Sequence, residues 1–408
     1  MKKLKYRSLF TAAVLLLSPF VNNSSANNPD VNTLPGGTNS DTIRTAKPPI
    51  MGWSSWNNFR VNIDEEMIKE QADAMISSGL YDAGYRFINI DDGYFGGRDS
   101  TGKLFVDRAK FPSGMKLLVD YIHGLGLKAG IYTDAGRNTC GSIWDHDKNG
   151  IGVGIYGHWE DDCDLFFYKW GYDFLKVDWC GGEKMQLDEQ TEYTKIIDAV
   201  KAVDRAIVFN ICRWQFPGVW AIHKADSWRI SGDIQANFSS ILHIIDLNVD
   251  LAKYASAGHY NDMDMLQVGR GMTYEEDKTH FSMWCMLNSP LLAGNDLRDM
   301  SEETIEILTN TEIIALNQDP GFKQATRVLT EGSIEVWVKP VGEAGDSKAI
   351  AIMNRGEDAV DFELNTGDFG IDKNATFRDL WKHEDLGMIE DGMEFSIPEH
   401  GIVVLKVK

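Results

Sequence analysis

The sequence predicts an α/β fold, a (β/α)8 TIM barrel followed by a C-terminal antiparallel β-sandwich. Three observations carry that prediction. Eight short apolar runs recur between residues 48 and 322, each closing in polar or acidic residues and leading toward a stretch with helical spacing. That span is close to the ~250 residues such a barrel uses. From residue 323 onward the texture changes to short alternating runs set apart by Gly, Asp and Asn, with no room for helices between them.

Taken in order, residues 1–26 carry a basic start (Lys2, Lys3, Lys5, Arg7), an apolar stretch and small residues up to Ala26, the pattern of a secretory signal peptide. Its removal would leave a chain destined for the periplasm or for secretion, and would move the net charge from −21 to −25. No later stretch is long and apolar enough for a membrane anchor. Residues 27–47, polar and containing Pro and Gly, read as a flexible leader. The barrel runs are centred on Met51-Gly52-Trp53, Phe87–Ile90, Ala129–Tyr132, Phe174–Val177, Ile207–Asn210, Trp228–Ile230, Asp264–Leu266 and Pro290–Leu292. Between the early runs, MIKEQADAMISSG and MKLLVDYIHGLG have apolar residues three and four apart and a Gly at the exit, as outer-ring helices do. An open doubly wound sheet would need a Gly-rich phosphate turn after its first strand, and none is present. Over residues 323–408, the runs SIEVWVKPV, KAIAIMNRG, AVDFELN, ATFRDLW, MEFSIP and GIVVLKV supply the sandwich strands.

Composition narrows the function. With 408 residues, 43% hydrophobic and 25% charged, the chain is globular and exceeds one hydrophobic core. Its 61 acidic against 40 basic residues would repel a phosphate backbone, so a nucleic-acid partner is disfavoured. Five cysteines are too few for a disulfide scaffold but allow a bridge, and Cys140 and Cys180 follow neighbouring barrel strands, within reach of each other. Cys163, Cys212 and Cys285 are expected as buried thiols. The nine histidines show no HExxH-type spacing, and the acidic run at 160–164 reads as solvated surface; no metal or cofactor is expected.

In a barrel of this class the chemistry sits at the C-terminal ends of the strands. The residues closing the runs there are Trp56, Asp91, Asp92, Tyr132, Asp134, Lys176, Asp178, Arg213, Arg229, Asp233, Asp262 and Asp264. One mouth thus gathers carboxylates, cations and aromatics, the mixture that grips sugar hydroxyls and covers the apolar face of a pyranose. Glycoside hydrolysis requires two carboxylates. Asp178 is the better nucleophile, since Lys176 on the same strand face would keep it ionised; Asp233, in a Ser-Gly-Asp turn and less stabilised by cations, is the better acid/base.

All of these residues except Arg213 lie in motifs that resemble glycoside hydrolase family 27, from about residue 48 to the C-terminus: MGWSSWNNF (51–59), INIDDGY (88–94), GLKAGIYTDAGRNTC (126–140), FLKVDWCGG (174–182), SWRISGDI (227–234), YNDMDML (260–266), SPLLAGNDLR (289–298) and ALNQDP (315–320). The resemblance implies a retaining double displacement, with Asp178 as nucleophile and Asp233 as acid/base, on a substrate bearing terminal α-linked galactose. It implies that Trp56, Asp91, Asp92, Tyr132, Lys176, Arg229 and Asp264 line the sugar pocket. Asp91 and Asp92 would hold O6 and O4, Lys176 O3 and O4, and Arg229 O2 and O3. It also supports pairing Cys140 with Cys180.

Three positions depart from the family pattern. Gly93-Tyr94 follows the two aspartates in place of Cys-Trp, with Val61 where the partner cysteine would stand; Arg213 replaces an acid near O2; and Met263 replaces a Pro. Arg213 is therefore placed at the O2 side of the substrate and argues against an α-N-acetylgalactosaminidase. A β-L-arabinopyranosidase is the nearer alternative, but the short Asp91 leaves space for the C6 hydroxymethyl of galactose. A secreted sugar-binding protein on an inactive barrel should have lost a catalytic carboxylate, and both are present. The sandwich is expected to pack against the barrel rather than to bind carbohydrate independently.

Overall fold

The computed structural model describes residues 47–408 apart from 373, 390 and 391; the predicted signal peptide, and the leader up to residue 46, lie outside them. Eight parallel strands form one curled sheet: β1 (Met51–Ser54), β2 (Phe87–Ile90), β3 (Lys128–Asp134), β4 (Phe174–Asp178), β5 (Val208–Ile211), β6 (Ser227–Arg229), β7 (Tyr260–Asp262) and β8 (Leu291–Ala293). Their order is β8-β1-β2-β3-β4-β5-β6-β7. The ring closes through a single parallel bridge, Leu266 to Ala293. Among the described residues no helix is long and apolar enough to cross a membrane.

The seventh strand corrects the expectation at 264–266, because the paired residues are Tyr260–Asp262. Asp264 adopts φ 75°, a left-handed conformation that ends the strand, and its N–H turns back to Asp262 Oδ1 at 2.9 Å. The two helices read from spacing are present as α1 (Glu65–Ser77) and α2 (Met115–Gly124). Asp64 caps α1 by accepting from Met67 N at 2.9 Å. A two-stranded hairpin, Phe95–Arg98 with Leu104–Val106, lies within the β2 to β3 connection and had no distinct signal in the sequence.

The C-terminal part is a six-stranded antiparallel sheet facing a two-stranded one. Its strands are β9 (Thr326–Glu331), β10 (Ile334–Val341), β11 (Ser347–Asn354), β12 (Val360–Leu364), β13 (Thr376–Asp379), β14 (Glu384–Met388), β15 (Met393–Ile397) and β16 (Ile402–Val407). The larger sheet runs β9-β10-β11-β16-β13-β14, and β12 pairs with β15. Two of these strands, β9 and β14, went unread because their sequences are mostly exposed and polar.

Period two explains the density of apolar residues in β10, β11 and β16. Ile334, Val336, Ile350, Ile352, Leu405 and Val407 point into the sandwich core with Phe377, Phe395 and Ile397. The intervening Trp337, Ala349, Ala351, Met353, Ile402 and Val404 join the barrel's core. Strands β10, β11 and β16 at the middle of the large sheet are therefore buried on both faces. Polar ties reinforce this packing: Arg355 bonds both Asp246 oxygens at 2.7 Å, Trp381 Nε1 donates to Ser282 Oγ at 2.9 Å, and Thr279 Oγ1 donates to the His400 carbonyl at 2.6 Å.

Candidate active site

Parallel strand order brings the eight C-terminal strand ends to one face, and the predicted polar residues meet there. Tyr132 and Asp134 lie on β3, Lys176 and Asp178 on β4, and Arg229 ends β6. Asp91 follows β2, Asp264 follows β7, and Trp56 opens a short helix after β1. Side chains on β4 that share a face alternate, so Lys176 and Asp178 both project the same way. A narrow recess is lined by Ser54, Asn89, Asp91, Tyr132, Asn210 and Asp262, among others. Lys176, Arg229, Asp264 and Met265 line both this recess and an outer cavity of about 510 Å³, which Trp56, Asp178, Trp214 and Asp233 also line.

Burial governs the electrostatics. Lys176 Nζ is 2.9 Å from Asp91 Oδ2 and 3.8 Å from Asp178 Oδ2, so its closer partner is Asp91. Desolvation opposes the lysine charge, but the two carboxylates overcome it and raise its pKa well above the usual lysine range. Asp178 is pushed up to about 6 by burial; the Lys176 charge and the Cys212 thiol hold it down, while Asp91 adds a further push upward. No N–H or O–H donor reaches its buried Oδ1.

Asp233 is 64% exposed, and its Oδ1 lies 3.1 Å from Arg229 Nη2. The same nitrogen is 2.9 Å from Asp264 Oδ2, so one buried guanidinium serves both acids. Asp233 therefore has a cation partner that the sequence reading did not give it. Asp264 holds its strained backbone through three contacts: Ile234 N donates to Oδ2 at 2.9 Å, Met265 N to Oδ1 at 2.8 Å, and Trp284 Nε1 to its carbonyl at 2.8 Å. Burial raises its pKa to about 6 against the Arg229 charge.

Two predicted contact residues are placed differently. Arg213 is absent from the residues lining the cavity; its Nε donates to Glu189 Oε2 at 2.7 Å, a partner twenty-four positions away that the sequence could not reveal. Asp92 is fully buried and occupied by backbone, accepting from Gly93 N at 2.8 Å and Gly141 N at 2.7 Å, with its pKa pushed to about 7 by burial. Of the two neighbouring aspartates, Asp91 is the one that lines the recess.

Cys140 and Cys180 form a disulfide, and Cys163, Cys212 and Cys285 are buried and free. Glycine makes the approach possible: a Cβ on Gly136 would stand 2.0 Å from the Gly181 carbonyl carbon. Asp134 Oδ1 ties the same two loops by accepting from Gly136 N at 2.7 Å and Gly181 N at 2.9 Å. Its ligand-like grouping with the two sulfurs offers no thiolate to a metal, since they are bonded to each other. The sequence reading missed Asn57, Arg60, Trp144 and Glu183 in the cavity wall; they lie in or just after the short helices Trp56–Phe59, Cys140–Trp144 and Cys180–Lys184 that follow the strand ends.

Comparison with known proteins agrees with this architecture. Residues 48–319 match the family model described as Alpha galactosidase A, and residues 331–407 match the Alpha galactosidase C-terminal beta sandwich domain. Alpha-galactosidase A of Cellvibrio japonicus is 42% identical over 387 residues, covering 89% of this chain and 92% of its own. Alpha-galactosidase 2 of Arabidopsis thaliana is 41% identical over 361 residues, covering 87% and 88%. The crystal structure of alpha-galactosidase I from Mortierella vinacea superposes with a TM-score of 0.82 at 34% identity, covering 90% of this chain and 98% of that one. With its motifs, its barrel and its sandwich all accounted for by the same relatives, the chain belongs to glycoside hydrolase family 27, the α-galactosidase family of glycosidases.

Proposed function

We propose that the enzyme is a retaining exo-glycosidase that releases terminal α-linked D-galactose from oligo- or polysaccharides. The observation that carries this reading is the pairing, in one cavity, of a buried carboxylate with a free oxygen, Asp178, and an exposed carboxyl, Asp233. Asp178 attacks the anomeric carbon while Asp233 gives its proton to the glycosidic oxygen, and the leaving group departs. Asp233 then takes a proton from water, which attacks the covalent glycosyl-enzyme and releases the sugar with its anomeric configuration kept. Lys176, Asp91, Arg229 and Asp264 hold the sugar hydroxyls, Trp56 covers a ring face, and Tyr132 lines the floor; Asp92 acts by fixing the loop at Gly141. Galactose is favoured over β-L-arabinopyranose because Asp91 is short, and its relatives' names agree.

In the same reading, residues 48–322 carry the chemistry and 323–408 support it. Residues 1–26 direct export to the periplasm or beyond, where the disulfide persists. The test is proton NMR of the first product formed from p-nitrophenyl α-D-galactopyranoside, with p-nitrophenyl β-L-arabinopyranoside alongside. α-Galactose should appear before its β anomer. β-Galactose first would exclude retention, and faster turnover of the arabinoside would overturn the reading of Asp91.

A further inference from the structure

The outer cavity is wider than one sugar needs, and its mouth has a construction of its own. Trp144, the last residue of the short helix Cys140–Trp144 after β3, is 67% exposed and lines the cavity wall. Arg60, in the loop after β1, lines it too and stacks its guanidinium 4.7 Å from the centre of the Trp56 ring. Asp145, the neighbour of Trp144, grips Arg60 through two parallel bonds of 2.5 and 2.8 Å. The bridge ties two loops from different strands, so the rings of Trp56 and Trp144 and the planar guanidinium are held on a braced rim. Arg60 itself adopts φ 50°, a conformation that arginine rarely takes and that this bridge sustains. A single exposed tryptophan on a surface needs no explanation, but one on the wall of a catalytic cavity, beside a fixed planar donor, is a stacking surface.

From this geometry we propose that Trp144 and the Arg60–Asp145 bridge form a binding site for the sugar on the leaving-group side. This rests on the galactosidase reading above and extends it outward. The apolar face of the second ring covers Trp144, while the Arg60 N–H groups left free by Asp145 donate to its hydroxyls. Trp144 does not touch the reacting atoms and is a specificity-determining residue.

The test compares kcat/KM for melibiose, which has a glucose leaving group, with that for methyl α-D-galactopyranoside, which has no second ring. In Trp144→Ala the ratio of melibiose to methyl galactoside should fall about tenfold, seen mainly in KM. Asp145→Asn, which loosens Arg60, should lower the same ratio by a few fold. An unmoved ratio in both variants would overturn the proposal while leaving the galactosidase reading in place. If the wild-type enzyme turned over neither substrate, the galactosidase reading would fail first and this one with it. Circular dichroism and the inhibition constant of free galactose, read on each variant, separate loss of the outer site from loss of the fold.

Discussion

Removing the Cys140–Cys180 bridge tests the link between stability and the catalytic geometry most directly. The crosslink spans a sequence separation of 40 residues. In the chain-entropy account, a loop of that length restricts the unfolded chain by about 13 cal/mol/K, or about 4 kcal/mol at 25 °C. Unfolding entropy near 2.1 cal/mol/K per residue gives about 0.75 kcal/mol/K for the barrel and sandwich together, so the double variant Cys140→Ala/Cys180→Ala should melt about 5 °C lower. Activity should fall as well, because Cys140 Sγ stands 3.3 Å from Asp178 Oδ2 and Gly181 N helps hold Asp134. The assay is scanning calorimetry without reductant, joined to initial rates on a nitrophenyl galactoside and a thiol titration of the denatured wild type. Three thiols should titrate. Five thiols, or a melting point within about 1 °C of wild type in the double variant, would refute the reasoning.

Three further outcomes concern the acids at the barrel mouth. In the proposed mechanism Asp178 attacks in its ionised form, so kcat/KM should fall tenfold per unit as the pH drops below about 6, and Lys176→Met should move that limb upward; a limb centred below pH 4.5 would contradict the burial argument. Asp233→Asn should lower kcat/KM on melibiose by about 10²–10⁴, and much less on a nitrophenyl galactoside, whose leaving group needs no proton; equal losses on the two would remove it from the acid role. Burial raises the pKa of Asp134 to about 8, so the folded state keeps a proton that the unfolded chain releases near pH 4. Its contribution to stability is therefore present at low pH and lost as pH rises from about 4 to 8. Asp134→Asn should flatten the decline in melting temperature between pH 5 and 8, and an unchanged slope would show that Asp134 is ionised in the fold.

Much of this molecule is legible along the chain because its information is local. Period two in Ile334–Val341 and Ser347–Asn354, helical spacing in Glu65–Ser77, and acids closing apolar runs each arise from neighbours a few positions apart. Those patterns are enough for the barrel and the sandwich, and they put Asp178 and Asp233 forward as the two acids of the proposed mechanism. The turn at Asp264 was not legible, since its left-handed backbone is sustained by Trp284 and Ile234, both distant in sequence. The same holds for Arg213, which Glu189 draws aside, for Asp92, which Gly141 occupies, and for the second partner of Arg229. Which polar group faces the substrate and which braces a loop depends on hydrogen bonds across strands. Sequence sets which residue types reach the barrel mouth; only the closing of the sheet decides their partners, because burial makes each charge depend on the few groups packed around it.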